Sequence, residues 1–197
     1  MKTTLVSIVL LLPSLASAQD PAEIQRHFEA GRFQQVVDTP ASDAVPDVIF
    51  LAAQSYQKLG ANDQALQTYD RLAQRPESDP WHFIGLSGRQ LVEGQVDPSI
   101  ASARQAVAIA PQEAIAHYQL GLALAPQQNW GAAAAAFEAA IERRPTFAYA
   151  HYYGGLMQYR ANRPDRMAIL FDQFLKLAPE APERPEVLSI MRTLRGR

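Results

Sequence analysis

The amino-acid sequence predicts an all-α solenoid in which helix pairs of equal length stack side by side. The first observation is a 34-residue spacing, which separates Pro111, Pro145 and Pro179 and also separates Gly121 from Gly155. The second observation is that other positions in the same register hold small or aromatic side chains. They form the columns Ala53 and Ser87; Ala65, Ser99 and Ala133; Tyr69, Ala103, Phe137 and Phe171; and Leu72, Ala106, Ala140 and Phe174. Repeats of this length are helix pairs that bury their apolar faces only against neighbouring pairs.

Composition narrows the classes of function. The chain has 197 residues, of which 48% are hydrophobic, so it is long enough to bury the core of one domain or of a short repeat array. Its formal net charge of -2 argues against the basic surface that binds nucleic acid. The chain contains no cysteine, which excludes disulfides, thiolate metal ligands and cysteine nucleophiles. We therefore expect neither a nucleic-acid partner nor a cysteine-based site.

Residues 1–18 have the pattern of a secretory signal peptide. Lys2 precedes a short apolar run, and the small residues Ala16 and Ala18 mark a cleavage site. The apolar run is shorter than the roughly 20 residues that span a bilayer, and no later stretch of the chain has membrane length. The segment predicts an exported protein, periplasmic or secreted, that is cleaved after Ala18 and has no integral membrane span. An uncleaved anchor is the alternative.

The repeat register divides the rest of the chain into segments. They are a shortened N-terminal helix pair at 19–45, four full units at 46–79, 80–113, 114–147 and 148–181, and a C-terminal capping helix at 182–197. In the capping helix the acidic residues precede the arginines, which suits the helix dipole. We interpret Glu180, Glu183 and Glu186 as an exposed, solvated acidic run at the start of this cap.

The pattern resembles the tetratricopeptide repeat (TPR), which has a small residue on its first helix, a small and an aromatic residue on its second, and a closing proline. The segment YQKLGANDQALQTYDRLAQRP (56–76) and the segment that ends at Pro145 carry these features. The family prefers tryptophan at the fourth place of the first helix, where this chain has Ile49, Phe83, His117 and His151. The resemblance covers about 46–181. It implies a right-handed α-solenoid but says little about function.

The stretch TFAYAHYYGGLMQYR (146–160) indicates where a partner binds. On a helical wheel its paired glycines fall on one side, and Tyr149, Tyr152 and Tyr159 fall nearly opposite. Because glycine allows a second helix to approach closely, we expect the glycines to face inward and the rings to face an open hollow. The predicted partner-binding groove consists of Trp81, Ile84, Tyr118, Leu122, Tyr149, Tyr152, Leu156, Tyr159 and Arg160. The alternative is that these rings pack against an adjacent repeat or lie under the N-terminal pair.

The sequence favours protein binding over catalysis. No nucleophile and base stand in a recognisable pattern, and His117 and His151 lie on helices about 10 Å apart, too far to share one metal. We predict no catalytic residue, no metal and no cofactor. The predicted function is an exported adaptor or scaffold that captures a protein or peptide in the groove. Two alternatives are a self-assembling structural module, whose size would grow with concentration, and a glycan-associated accessory protein, which would bind peptidoglycan.

Overall fold

The computed structural model describes residues 20–39 and 45–195. The predicted signal peptide lies outside the described residues. The helices are α1 (Pro21–Glu29), α2 (Phe33–Asp38), α3 (Pro46–Lys58), α4 (Asn62–Ala73), α5 (Pro80–Val92), α6 (Val96–Ile109), α7 (Ala114–Leu124), α8 (Trp130–Arg143), α9 (Ala148–Arg160), α10 (Pro164–Leu177) and α11 (Arg184–Arg195). Within the described residues, no helix combines the length and the apolar character that crossing a bilayer requires.

Four helix pairs form the body of the protein. The pairs α3–α4, α5–α6, α7–α8 and α9–α10 each lie within one of the four 34-residue units that the register predicts. Each first helix packs against the second helix of its own unit, and each second helix packs against the first helix of the next unit. This arrangement confirms the predicted all-α solenoid. The shorter pair α1–α2 precedes the four units, and α11 follows them.

Local sequence signals determine where the helices begin and end. Pro80 opens α5, a place where the missing N–H leaves no helical bond unmade, and Asp79 accepts a hydrogen bond from the Trp81 amide at 3.0 Å. Each first helix is followed by a residue with left-handed backbone, which turns the chain towards the second helix. These residues are one repeat apart and have φ between 57° and 75°: Gly60, Gly94, Gln128 and Asn162.

Both glycines of α9 face inward, as the helical wheel predicts: Gly155 faces α10 of its own unit, and Gly154 lies between α10 and α8 of the preceding unit. A Cβ atom on Gly155 would lie 2.5 Å from two ring carbons of Phe171 in α10. Gly121 holds the same place one unit earlier, and a Cβ atom there would lie 2.8 Å from the ring of Phe137 in α8. A glycine opposite an aromatic ring is therefore a repeated contact that brings the two helices of a unit close together.

Candidate functional site

The inner face of the solenoid is formed by the first helices α3, α5, α7 and α9, because all four contribute side chains to one open cavity. The predicted groove residues fall into two parts of this face. Five of them are buried, namely Trp81, Ile84, Tyr118, Tyr149 and Tyr152. The prediction that these five side chains face an open hollow is wrong. The other four, Leu122, Leu156, Tyr159 and Arg160, are partly or largely exposed.

Tyr149 and Tyr152 are buried because α11 and the residue before it lie against α9. The Tyr149 hydroxyl donates to Glu183 at 2.9 Å, and the Tyr152 hydroxyl donates to Glu186 at 2.9 Å. Each donor stands one 34-residue repeat before its acceptor, so α11 takes the place of the first helix of a fifth unit. The interpretation of Glu183 as part of a solvated run is wrong, since its side chain is only 12% exposed. Glu180 and Glu186 are exposed, as predicted.

Tyr118 is buried among rings of its own unit and of the first unit. Its ring centroid lies 4.6 Å from that of Phe147, 5.5 Å from that of Phe137 and 6.1 Å from that of Phe50. Phe50 in turn lies 6.5 Å from Trp81. Tilted and edge-to-face ring pairs at such distances are favourable beyond the area they bury. We define the aromatic cluster as Phe50, Trp81, Tyr118, Phe137, Phe147, Tyr149 and Tyr152.

The N-terminal hairpin, which comprises α1 and α2, covers part of the aromatic cluster. The ring of Phe28 lies 5.0 Å from the ring of Tyr149 and 5.5 Å from the ring of Phe33. Phe28 is itself buried. For Tyr149, the structure therefore shows both of the alternatives that the sequence left open, since the ring packs against the next helix and also lies under the N-terminal pair.

Lys58 joins the first unit to the C-terminal segment. Its ammonium donates to Glu183 at 2.8 Å and lies 5.3 Å from the ring centroid of Tyr149 and 5.7 Å from that of Tyr153. Burial lowers the pKa of Lys58, but the Tyr153 hydroxyl and the Glu183 carboxylate together raise it above its ordinary value. Lys58 is therefore a cation at neutral pH, and it is held by a carboxylate and by the faces of aromatic rings.

The C-terminal halves of the first helices leave an open cavity of about 260 Å³, which we call the concave cavity. Leu91 and Leu122 provide its apolar walls. Gln54 donates to the Tyr69 hydroxyl at 2.6 Å, and this hydroxyl donates to Gln57 at 2.9 Å, so one buried ring positions both amides. The complete lining consists of Gln54, Gln57, Lys58, Leu91, Leu122 and Tyr153.

The exposed members of the predicted groove lie near the C-terminal ends of the first helices. Leu122 lines the concave cavity, and Leu156 packs partly against the core. The side chain of Tyr159 is 46% exposed. The guanidinium of Arg160 lies 5.3 Å from the ring centroid of Trp130 in α8, so this cation is held on an aromatic surface.

The predicted groove omits most of the residues that line the concave cavity. Gln54 and Leu122 are separated by two full repeats, so the register alone places them at equivalent positions. The same register predicts that Gln54, Gln57 and Lys58 form the more polar, first-unit end of this surface and that Leu91 lies on it in the second unit. Tyr153 lies within the stripe on the helical wheel, and its role depends on Lys58, which comes from a different unit.

His117 and His151 have the same structural role in successive units. His117 Nε2 lies 2.9 Å from the Pro111 carbonyl oxygen, and His151 Nε2 lies 2.8 Å from the Pro145 carbonyl oxygen. Burial lowers the pKa of His151, and the hydrogen bond to Pro145 offsets part of this effect. Each ring thus ties a first helix to the loop that precedes it. Among the described residues, no group of three His, Asp or Glu side chains is arranged to hold a metal ion.

The comparison with protein families places one part of the chain in a known repeat. The profile of the Tetratricopeptide repeat family matches residues 47–78, which fall within the first predicted unit. No curated protein matches the sequence.

Several solved structures share the fold. TTC0263, a thermophilic TPR protein of Thermus thermophilus, is 19% identical, with a TM-score of 0.62 over 88% of this chain and 98% of that one. MamA is 18% identical, with a TM-score of 0.51 over 80% of this chain and 92% of its own. YrrB, described as a TPR protein with an unusual peptide-binding site, is 17% identical, with a TM-score of 0.50 over 81% and 80%.

At such identities the likeness concerns the fold. The 34-residue register, the glycine-to-ring contacts within each unit and the family match in the first unit all agree with it. Together they show that the chain has the tetratricopeptide-repeat fold, and that residues 47–78 match the model of that family.

Proposed function

We infer that the protein is an exported binding scaffold whose concave cavity holds an anchoring side chain of a partner protein or peptide. The main support for this proposal is that the first helices of all four units contribute side chains to the lining of the cavity. A volume of about 260 Å³ is below the range of about 300–1,000 Å³ that is usual for small-molecule sites. It suits one large side chain of a longer chain that continues across the surface.

The lining of the cavity favours an apolar anchor with a polar backbone beside it. Leu91 and Leu122 offer apolar contact, and the ring of Tyr153 can bury a large area of a partner. Gln54 and Gln57 carry amides, which can hydrogen-bond to an extended peptide backbone. A peptide-binding site in YrrB, a protein of the same fold, supports a peptide as the ligand class. The proposal assigns no catalytic step and no cofactor.

Residues at the edge of the cavity extend the proposed surface. Tyr159 follows Leu91 by two repeats and Gln57 by three, so the three residues share one register position. The exposed ring of Tyr159 and the cation of Arg160 are residue types that contribute much of the binding energy when an interface covers them. Leu156 follows Leu122 by one repeat and continues the apolar wall.

Export is supported by the N-terminal segment alone. The order of a lysine, an apolar run and small residues before Gln19 is that of a cleaved secretory signal. Fractionation of the native cells followed by N-terminal sequencing tests this part of the proposal. We expect a periplasmic or secreted chain that begins at Gln19. A cytoplasmic chain that retains the segment 1–18 would contradict it.

Site-specific photocrosslinking tests the binding role. A photoreactive residue in place of Leu122 is expected to crosslink one defined partner in native cells, and the additional change Leu91→Arg is expected to abolish this product by filling the cavity with a charge. The matched control places the photoreactive residue at Ile169, which is exposed on α10. Equal products from both positions would contradict the proposed site. A crosslink only to a second copy of the chain would assign the cavity to self-association.

A further inference from the structure

The N-terminal hairpin connects two distant parts of the solenoid. Helix α1 packs against α3 of the first unit, while the ring of Phe28 reaches Tyr149 of the fourth unit at 5.0 Å. In the turn between α1 and α2, a Cβ atom on Gly31 would lie 2.6 Å from the ring of Pro182, which precedes α11. The hairpin therefore lies across the inner face and contacts both ends of the array.

Both helices of the hairpin pack against α3, but the hairpin buries few apolar side chains. Within residues 20–39 its buried apolar side chains are Ile24, Phe28 and Val36. Its ion pair with the C-terminal segment joins Arg32 to Glu180 at 3.1 Å, and both side chains are largely exposed, so the pair contributes little. Helix α2 has only six residues, and helices of this length are not stable on their own.

Beside the close contact of Gly31 with Pro182, the packing between α1 and the C-terminal turn is incomplete. An open cavity of about 220 Å³ separates α1 from the turn that follows α10. Burial raises the pKa of Glu29 in α1, which means that seating the hairpin removes a carboxylate from water. Both features lower the free energy that release of the hairpin requires. Segments with few buried contacts open separately from the rest of a protein.

Release of the hairpin would uncover an aromatic surface next to the concave cavity. The ring of Tyr149, which is fully buried beneath Phe28, would become accessible on that side. Tyr149 lies 6.2 Å from Tyr153, which lines the concave cavity. The uncovered surface would therefore be continuous with the cavity, and an exposed apolar patch of this kind is suited to a protein partner.

We propose that the N-terminal hairpin is a displaceable strap, and that a partner's amphipathic helix of the same chemistry takes its place on Tyr149 and Glu180. The hairpin itself defines this chemistry. Ile24 and Phe28 lie one turn apart on the buried side of α1, and Arg32 follows the turn at Gly31, so the hairpin presents an aliphatic, an aromatic and a basic side chain to the solenoid. This surface adjoins the concave cavity at Tyr153 but is formed by other residues, so loss of binding at one does not require loss of binding at the other.

A locked variant of the full chain tests whether the strap must move. The Cβ atom of residue 31 would lie 3.6 Å from Cβ of Pro182, which is within the range for a disulfide. Because the sequence has no cysteine, Gly31→Cys with Pro182→Cys allows one defined bridge, and the reduced form of the same variant controls for the strain of a side chain at residue 31, where φ is 72°. The probe is a labelled synthetic peptide of residues 20–39, whose binding is measured by fluorescence anisotropy. A peptide with Ile24→Ala and Phe28→Ala is the matched control.

The expected order of affinities follows from the fraction of chains with a free surface. The oxidised lock should bind the peptide at least about tenfold more weakly than its reduced form, because only a released hairpin frees the surface. Phe28→Ala in the wild-type chain should bind the peptide about tenfold more tightly than wild type. Equal binding by the oxidised and reduced lock would overturn the proposal, as would failure of the peptide to bind the Phe28→Ala chain.

Hydrogen exchange on the unmodified chain provides a second measurement that does not depend on any variant. Amides of residues 20–39 should exchange by a separate opening, at least about tenfold faster than amides in the interior of α7. Exchange of both segments at the same slow rate, through unfolding of the whole chain, would show that the hairpin is not a strap. The crosslinking result at Leu122 is independent of this outcome.

Discussion

At the scale of single residues, glycine sets the distance between the helices of a unit. Gly155 and Gly121 face the rings of Phe171 and Phe137 so closely that a Cβ atom on either would require the ring to move. The gain is a tightly packed pair of helices, and it offsets the poor helix propensity of glycine. Close packing therefore explains why α9 contains two adjacent glycines among its tyrosines.

Substitution of this glycine tests the close contact. Gly155→Leu is expected to lower the free energy of unfolding by about 1–3 kcal/mol, because the new side chain overpacks the contact with Phe171. Urea denaturation followed by circular dichroism measures the change. The matched control is Gly131→Leu, since no heavy atom lies within 4 Å of a Cβ atom there. Equal stability of the two variants would show that Gly155 is not in a close contact.

The backbone turns show how far single residues can be predicted. Gly60 and Gly94 mark the turn between helices in the first two units, because glycine readily adopts positive φ. The structure has the same turn at Gln128 and Asn162, each with φ of 57°. Nothing in the residue type of Gln128 indicates this conformation. The positive φ at Gln128 and Asn162 follows only from the register, because these residues stand one and two repeats after Gly94.

At the scale of secondary-structure elements, α11 decides the environment of the tyrosines. Periodicity predicts that α9 is a helix and which of its sides carries the glycines. It does not distinguish a side that faces a hollow from a side that faces the next helix. The 34-residue spacing of Tyr149 from Glu183 and of Tyr152 from Glu186 is the missing signal, since it places each acid opposite a hydroxyl in the next first-helix position.

The contact between α9 and α11 is expected to weaken in alkaline solution. Burial and the nearby charge of Glu183 raise the pKa of Tyr149, and burial and the hydrogen bond to Glu186 raise the pKa of Tyr152. A raised pKa in the folded state gives stability that is complete below the unfolded value of about 10 and is lost as the pH rises through the folded value. The free energy of unfolding should therefore fall as the pH rises above about 10.

Removing the two hydroxyls should reduce this pH dependence. The double variant Tyr149→Phe with Tyr152→Phe is expected to show a shallower alkaline loss of stability, measured by urea denaturation at a series of pH values. At neutral pH it should lose about 1.5–3 kcal/mol for each hydrogen bond to a carboxylate. Tyr159→Phe is the control, because its ring is exposed. An unchanged alkaline slope in the double variant would contradict the assignment to Tyr149 and Tyr152.

At the scale of the whole molecule, contacts between residues far apart in the sequence join the first unit and the N-terminal hairpin to the last units of the array. Arg144, which precedes the fourth unit, pairs with Asp47 at the start of the first unit at 2.9 Å. Lys58 pairs with Glu183 at 2.8 Å, and Phe28 packs on Tyr149. The aromatic cluster is therefore part of one continuous core that reaches from the first unit to the fourth, while the concave cavity remains open to solvent.

These long-range contacts explain why the sequence predicts the fold better than the site. The helix pairs follow from local periodicity within a single repeat. Phe28 and Tyr149 share no register position, and Lys58 meets Glu183 only because the array brings its two ends together. A wheel drawn for one helix cannot contain this information. As a result, Leu122, Leu156, Tyr159 and Arg160 are accessible among the predicted groove residues, and the larger aromatic residues form a core.

The inner face is divided into an accessible part and a buried aromatic cluster. The most direct test of this division is to nitrate the folded protein with tetranitromethane and to measure the modification of each tyrosine peptide by mass spectrometry. We expect rapid modification of Tyr159, which is 46% exposed, and strong protection of Tyr118, Tyr149 and Tyr152, which are buried. In urea all four should react at similar rates. Modification of Tyr149 and Tyr152 in the folded chain at the rate of Tyr159 would contradict the account.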